Sequence, residues 1–441
     1  MDQPFKAPAP APAPSQRNNE APRASRRSRR GLDWFVFFVA DVQTGFGAFV
    51  AVYLTAQKWT QVDIGLVLTI GGIISLVGQI PAGALLDAIR SPRLAAVVSL
   101  LLIGASAFVL AIWPVFPAVV ASRVVQATAS SVLGPAIAAI SLGLVPRSEI
   151  GERFGRNAAF ASVGTGVAAA GMGACGYFIS NQAVFFVAAA FVAPAVFSLM
   201  QVRREEINPT RAHGGTNPHP LNIATGFAEL SRQPALPILA CSVMLFHLAN
   251  AAMLPLTASM LTVRSASSAP ALIAVAMVVP QLTVALLSPT VGRKADRWGR
   301  RPLLAIGFLA LTIRGLLLAW VTTPHAMIAV QLIDAISAAV LGVLVPLTVA
   351  DLTRNTGHFN LAQGLIGSAM GIGASVSTTL AGYLSDRFTS SVTFLCLGSV
   401  AGAGLLLILL KMPETRPGAD DDDDDDDRPA APTLSPPPGA A

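Results

Sequence analysis

Four ionisable residues stand inside long apolar runs of this 441-residue chain: Asp41, Arg123, Arg314 and Asp334. An unpaired charge in hydrocarbon is costly, so each needs a partner, a water-filled cavity or neutralisation. Proton binding and ion pairing are the chemistries open to them. At about 1.5 Å per residue, Asp41 lies roughly 12 Å from the inner end of its run and Arg123 roughly 20 Å from the inner end of its own, a difference an arginine stem largely bridges. Two readings follow for this couple. An arginine that approaches and withdraws would load and unload a proton on Asp41; a fixed pair would simply hold two segments together. Arg314 and Asp334 come out at similar depth, roughly 18 and 17 Å, and there the fixed, neutralised pair is the expectation. Gln126, Gln281 and Gln331 share these runs, where carboxamides either bind a solute or join neighbouring helices.

The elements that must position these residues are membrane spans. Apolar residues make up 53% of the chain and charged residues 12%, against about 25% charged in a soluble domain. Twelve apolar runs fall near 33–55, 64–86, 94–113, 116–144, 157–179, 182–201, 236–262, 269–289, 302–321, 325–350, 361–384 and 390–410. Each suffices to cross a hydrocarbon core of about 30 Å. All but five of the 30 Lys and Arg residues fall in tails and loops on one side; the exceptions are Lys58, Arg264 and Arg387 opposite, and Arg123 and Arg314 within spans. By the positive-inside rule both termini are cytoplasmic. The net charge of +6 therefore reports topology and lipid headgroups, not nucleic acid. Tryptophans and tyrosines sit at or just beyond the span ends, the headgroup boundary they favour.

The expected organisation is a basic tail (1–30), a six-helix bundle (31–201), a cytoplasmic linker (202–235), a second six-helix bundle (236–411) and an acidic tail (412–441) with eight consecutive aspartates, Asp420–Asp427. Both tails are too polar or proline-rich to fold alone. The linker is expected to end in a short amphipathic helix with Ile223, Phe227 and Leu230 on one side. The two bundles repeat. Arg123-Val-Val-Gln126-Ala127 aligns at an offset of 208 on Gln331-Leu-Ile-Asp334-Ala335, and Gly83-Ala-Leu-Leu-Asp87 aligns at an offset of 209 on Gly292-Arg-Lys-Ala-Asp296. Internal repeats of this size mark secondary transporters, whose site lies at the repeat interface.

The loop after the eighth run reads Gly292-Arg-Lys-Ala-Asp296-Arg297-Trp298-Gly299-Arg300-Arg301. It resembles the G-x-x-x-D-R-x-G-R-R signature of the major facilitator superfamily, in which it joins helices 8 and 9, with a sister copy between helices 2 and 3. Arg123-x-x-Gln126 resembles the span-4 signature of proton-coupled members, with Ala127 where they carry glycine. The resemblance covers roughly residues 31–411 and implies an all-α membrane protein: twelve transmembrane helices in two pseudo-symmetric six-helix bundles. It also implies a cytoplasmic gate at Gly83, Asp87, Gly292, Asp296, Arg297, Gly299, Arg300 and Arg301. Asp296 should then face the start of span 5, just after Arg156 and Asn157, while Asp87, with no R-x-G-R-R behind it, should matter less. Two departures stand out: that degenerate first loop, and Gly164 to Gly171 in span 5, which lacks the proline usual in drug–proton antiporters.

No G-x-x-x-x-G-K-[ST] occurs, so the chain has no phosphate-binding loop for ATP. Cys175, Cys241 and Cys396 sit within apolar runs and offer neither a disulfide framework nor metal spacing. His213, His219 and the aspartate run could be taken for metal ligands, but low-complexity acid runs are usually solvated tails and no metal role is expected; His247 is read as a helix-packing imidazole. No cofactor, metal or enzymatic chemistry is expected. The expectation is a monomeric secondary active transporter in the cell membrane, of the bacterial inner-membrane kind. It would export a small organic solute by alternating access with proton coupling, and Asp41, Arg123, Gln126, Gln331 and Asp334 are the residues expected to couple protons or bind substrate. Proton symport or facilitated diffusion is the alternative within transport, and a non-transporting sensor or scaffold the alternative outside it.

Overall fold

In the computed structural model, described for residues 24–46, 48–215, 223–264 and 269–416, the described secondary structure is helical. Residues 1–23 and 417–441, with Asp420–Asp427, lie outside the description, as does His219. Twelve helical stretches among the described residues are long and apolar enough to cross a membrane.

The first crossing is built from α1 (Arg26–Thr44) and α2 (Ala48–Ala56). It is followed by α3 (Gln61–Ala88), α4 (Pro92–Ile112), α5 (Phe116–Leu144), α6 (Ile150–Phe178) and α7 (Ala183–Met200). Two short helices, α8 (Pro209–Ala212) and α9 (Ile223–Leu230), occupy the linker. The second half runs α10 (Ala235–Asn250) and α11 (Met253–Arg264), α12 (Ala269–Trp298), α13 (Arg300–Trp320), α14 (Pro324–Leu352), α15 (Phe359–Arg387) and α16 (Ser390–Lys411). The first and seventh crossings are thus both broken. Gly45 lies at the first break, where glycine weakens a helix. At the second, the Ser377 hydroxyl accepts the Ala252 N–H at 3.0 Å and replaces a bond the helix gives up.

Two helices start earlier than the hydropathy pattern suggests. α1 begins at Arg26, inside the segment read as an unfolded tail. Its cap, Ser25, accepts the Ser28 N–H at 3.2 Å, and Glu206 Oε2 in turn takes the Ser25 N–H at 2.8 Å. Burial pushes the Glu206 carboxyl up, but the bonds from Ser25 and Ser28 outweigh it and hold the group below the usual glutamate range. α6 begins at Ile150, seven residues before the expected start at 157, so Arg153 and Arg156 are helical. The linker helix α9 does not bury the face expected. Gly226 and Leu230 turn inward, while Ile223 and Phe227 are exposed. The missing side chain at Gly226 lets α9 rest on Leu361 and His358.

Within the first half α4 packs on α5 and α7, α3 on α5, and α1 on α6 and α7; within the second, α13 packs on α16 and α14, α10 on α15 and α16, and α12 on α14. The halves meet mainly through α6 against α12 and α3 against α15. These are equivalent pairs under the repeat.

Candidate functional site

Each half carries a buried polar cluster at its first crossing. In the second half Arg314 of α13, 1% exposed, is the hub. Its guanidinium donates to Asp334 Oδ1 of α14 at 2.5 Å, to Gln331 Oε1 at 2.9 Å through Nε, and to Asn250 Oδ1 at the end of α10. The Arg314–Asp334 pair expected from depth is present. Gln331 binds Arg314 within this cluster rather than standing free, and its Nε2 has no partner.

The first half is built differently. Asp41, on the last full turn of α1, is buried, and neither carboxylate oxygen has a hydrogen-bond partner. The Asp41–Arg123 pair expected as one possibility is not formed. Arg123 of α5 instead donates Nη1 to the Phe46 carbonyl at the helix break (3.3 Å) and to Gln126 Oε1 (2.8 Å), and Gln126 passes a bond to Ser130 (2.9 Å). The guanidinium also lies over the Phe46 ring, 5.9 Å from its centroid, and against Gly71 of α3. The break at Gly45–Phe46 explains the missing pair. It frees a backbone carbonyl that an unbroken helix would have used itself, and the arginine takes that acceptor.

A cavity of about 630 Å³ lies between the halves. Gln79, Asn157, Asn250, Gln281 and Gln363 supply carboxamides and His247 an imidazole; Phe154, Phe246 and Met370 supply apolar wall. None of its lining residues carries a formal charge apart from His247 when protonated. The Gln363 Nε2 is buried without a partner. Volumes of about 300–1,000 Å³ with a few placed polar groups are typical of small-molecule sites.

The gate positions lie at the end that carries the basic loops. A Cβ on Gly83 would fall on the Asn360 carbonyl, and a Cβ on Gly292 on the Gly151 carbonyl, so only glycine lets α3 approach α15 and α12 approach α6 there. Asp87 is buried and accepts from Asn360 N (3.0 Å), Asn360 Nδ2 (2.8 Å) and Leu361 N (2.8 Å), the first turn of α15. Both Asp296 oxygens approach the first turn of α6, within 2.8 and 2.9 Å of where a Gly151 Cβ would stand. They face Gly151 rather than the segment after Arg156, because α6 begins earlier. Asp87, expected to be the lesser of the two, is thus buried and holds three bonds to the other half.

The rest of the loop is held from behind. Gly299 has φ +91°, and as N-cap of α13 it offers no side chain. Glu414 supplies the missing acceptor, taking the N–H of Arg300 (2.7 Å) and of Arg301 (3.1 Å). Arg300 is buried and bridges Asp351 (2.8 Å), Asp296 (3.3 Å) and the Ala295 carbonyl (2.9 Å). Arg301 reaches the Leu409 carbonyl, and Arg297 is exposed while its carbonyl accepts from Arg416.

Sequence reasoning missed Asn250, Asp33, Asn360 and Glu414. Asn250 was reachable, since the 209-residue offset that relates Gly83 to Gly292 carries Asp41 onto it. Asp33 accepts from Arg153 (2.5 Å) and Arg156, and Arg153 also bonds Asn157 (2.8 Å); no spacing signal announces this set. His213 is buried, with its ring nitrogens on the carbonyls of Pro209 (2.6 Å) and Ile89 (3.0 Å). Among the described residues no cluster of metal-binding side chains occurs.

Comparison with known proteins agrees with this geometry. The family model described as Major Facilitator Superfamily matches residues 34–279 and 239–437. The chain is 37% identical over 397 residues to uncharacterised MFS-type transporters of Mycobacterium tuberculosis strains CDC 1551 / Oshkosh and H37Rv, covering 88% of this chain and 94% of each relative. In fold it is similar to the transporter FucP in the outward conformation (TM-score 0.71, 15% identity, 86% of this chain and 97% of that one). It is likewise similar to the proton:xylose symporter XylE (0.66, 15%, 88% and 95%) and to the human organic anion transporter MFSD10 (0.65, 15%, 87% and 99%).

Proposed function

Because the chain belongs to the major facilitator superfamily, we propose that this multi-pass transporter carries a small organic solute by alternating access, coupled to protons through Asp41. The observation that carries the coupling is the buried Asp41 carboxyl, unbonded beside a helix break whose carbonyl already holds Arg123. In that setting the protonated, neutral carboxyl is the form that low dielectric tolerates. A movement of α1 or α5 that brings Arg123 onto Asp41 stabilises the anion and releases the proton. The second half does not offer this choice, since its charges are already matched at Arg314 and Asp334.

With the basic end cytoplasmic, the conformation described is closed to the cytoplasm. The halves touch at Gly83–Asn360 and Gly292–Gly151, and the solute site is the amide-lined cavity above. The proposed protein is a monomer in the cell membrane that exports its solute in exchange for protons entering. A solute screen in proteoliposomes with an imposed pH gradient tests it. Asp41→Asn is expected to abolish gradient-driven accumulation while solute exchange at equal pH persists. Accumulation by the variant that still follows the gradient removes Asp41 from coupling, and uptake in the same direction as the protons replaces exchange by symport.

A further inference from the structure

We propose that a recess between the start of α1 and the start of α6 is a binding site for a phosphate group, carried by an anionic lipid headgroup. The recess has a volume of about 170 Å³ and is lined by Arg26, Arg29 and Arg30 of α1 and by Arg153 and Arg156 of α6. Glu149 and Glu152 also line it, and Asp33 lies behind it bound to Arg153 and Arg156. Among the described residues five cations thus face three anions, a surplus of two positive charges in one small space.

Internal pairing accounts for part of the set. Arg29 holds Glu149 at 2.6 Å, and Arg153 and Arg156 share the single Asp33 carboxylate. Arg26 and Arg30 are exposed and make no hydrogen bond or ion pair with a described residue. Their position sharpens the point. Arg26, Arg27, Arg29 and Arg30 fill four of the first five places of α1, whose first turn holds no acidic residue; from elsewhere in the chain, Glu149 pairs with Arg29 and Glu206 holds the Ser25 cap. The start of a helix carries a partial positive charge that favours anions and repels cations. Glu206 answers the helix end itself, and a phosphate in the recess relieves the arginines that Glu149 and Asp33 leave uncompensated, their planar donors matching phosphate geometry. The source is indicated one turn further on. Trp34, four residues after Arg30 and 48% exposed, packs on Phe37, Phe38 and Phe160 at the depth where indole rings meet headgroups. A lipid phosphate above, with its glycerol along Trp34, fills this arrangement; free phosphate uses only the upper part.

The test is calorimetric titration of the full-length protein in detergent with short-chain phosphatidylglycerol, short-chain phosphatidylcholine and inorganic phosphate. Saturable binding of phosphatidylglycerol in preference to phosphatidylcholine is expected. The R26Q/R30Q variant should weaken it by roughly 30-fold, taking about 1 kcal/mol for each basic residue at an anionic surface. Neither arginine has a structural bond to lose, so this variant keeps its fold. Arg232→Gln, which removes an exposed basic residue of the linker outside the recess, should leave the affinity unchanged. Displacement of the lipid by inorganic phosphate at comparable concentration retains the phosphate site and makes free phosphate its source. Equal affinity for the two lipids, or an equal loss in Arg232→Gln, overturns the proposal.

Discussion

Arg314 is held by Asn250, Gln331 and Asp334, side chains from two other helices, and this decides how it responds to substitution. Removing Asp334 leaves a buried cation with two amide acceptors and no counter-charge; removing Arg314 strands a carboxylate. Replacing both with apolar residues of similar volume deletes the problem along with the bond. A double-mutant cycle on Arg314→Met and Asp334→Leu is therefore expected to show coupling of about 0.5–3 kcal/mol. It would be read as an apparent melting shift of the double variant smaller than the sum of the singles. Additive shifts would show that the 2.5 Å contact carries no coupling. The matching cycle on Asp41 and Arg123 should be close to additive in this conformation, because no bond joins them. At this scale the sequence was legible where depth alone decides, as it does for Arg314 and Asp334. It was silent where a competing backbone acceptor decides. The Phe46 carbonyl that takes Arg123 exists only because the helix breaks, and hydropathy does not register a break between two apolar stretches.

Among the elements, the decisive ones are the paired contacts of α3 on α15 and α12 on α6. Each places an aspartate at the first turn of a helix in the other half, where unpaired amides and the helix dipole favour an anion by up to about 2 kcal/mol when partly buried. Asp87→Asn turns an amide N–H toward donors that now meet a carboxylate, so it loses more than charge. Both Asp87→Asn and Asp296→Asn should shift the population toward opening at the basic end, by at most about 30-fold for the full 2 kcal/mol, and Asp87→Asn at least as far as Asp296→Asn. Labelling of Ala138→Cys in the cavity wall, in a background with Cys175, Cys241 and Cys396 replaced, reports that opening from the basic side. Labelling unchanged from the parent in both variants would make these aspartates packing residues. The spans themselves were readable because a membrane imposes their length. Their starts were not, because Ser25 caps α1 and Glu206 anchors that cap from 181 residues away, a long-range bond without a local pattern.

At the scale of the molecule, rocking requires the two basic-end contacts to part together. Glu152 and Arg293 flank the Gly151–Gly292 approach and are both exposed. A disulfide between Glu152→Cys and Arg293→Cys, in the same cysteine-free background, is expected to stop transport when oxidised and restore it on reduction. Transport at the parent rate with the bond formed would exclude rocking about this end. The same contacts also have an order in time. A chain is made from its N-terminus and its domains fold as they emerge. Asp87 nevertheless must wait for Asn360, 273 residues later, and the Arg300 amide for Glu414, 114 residues later. The first half therefore enters the bilayer with its clasp unmet. The loop after α12 stays uncapped while α14, α15 and α16 are laid down. Only when the ribosome has passed residue 414 can that acceptor arrive, so the basic end is completed after all twelve crossings have been laid down.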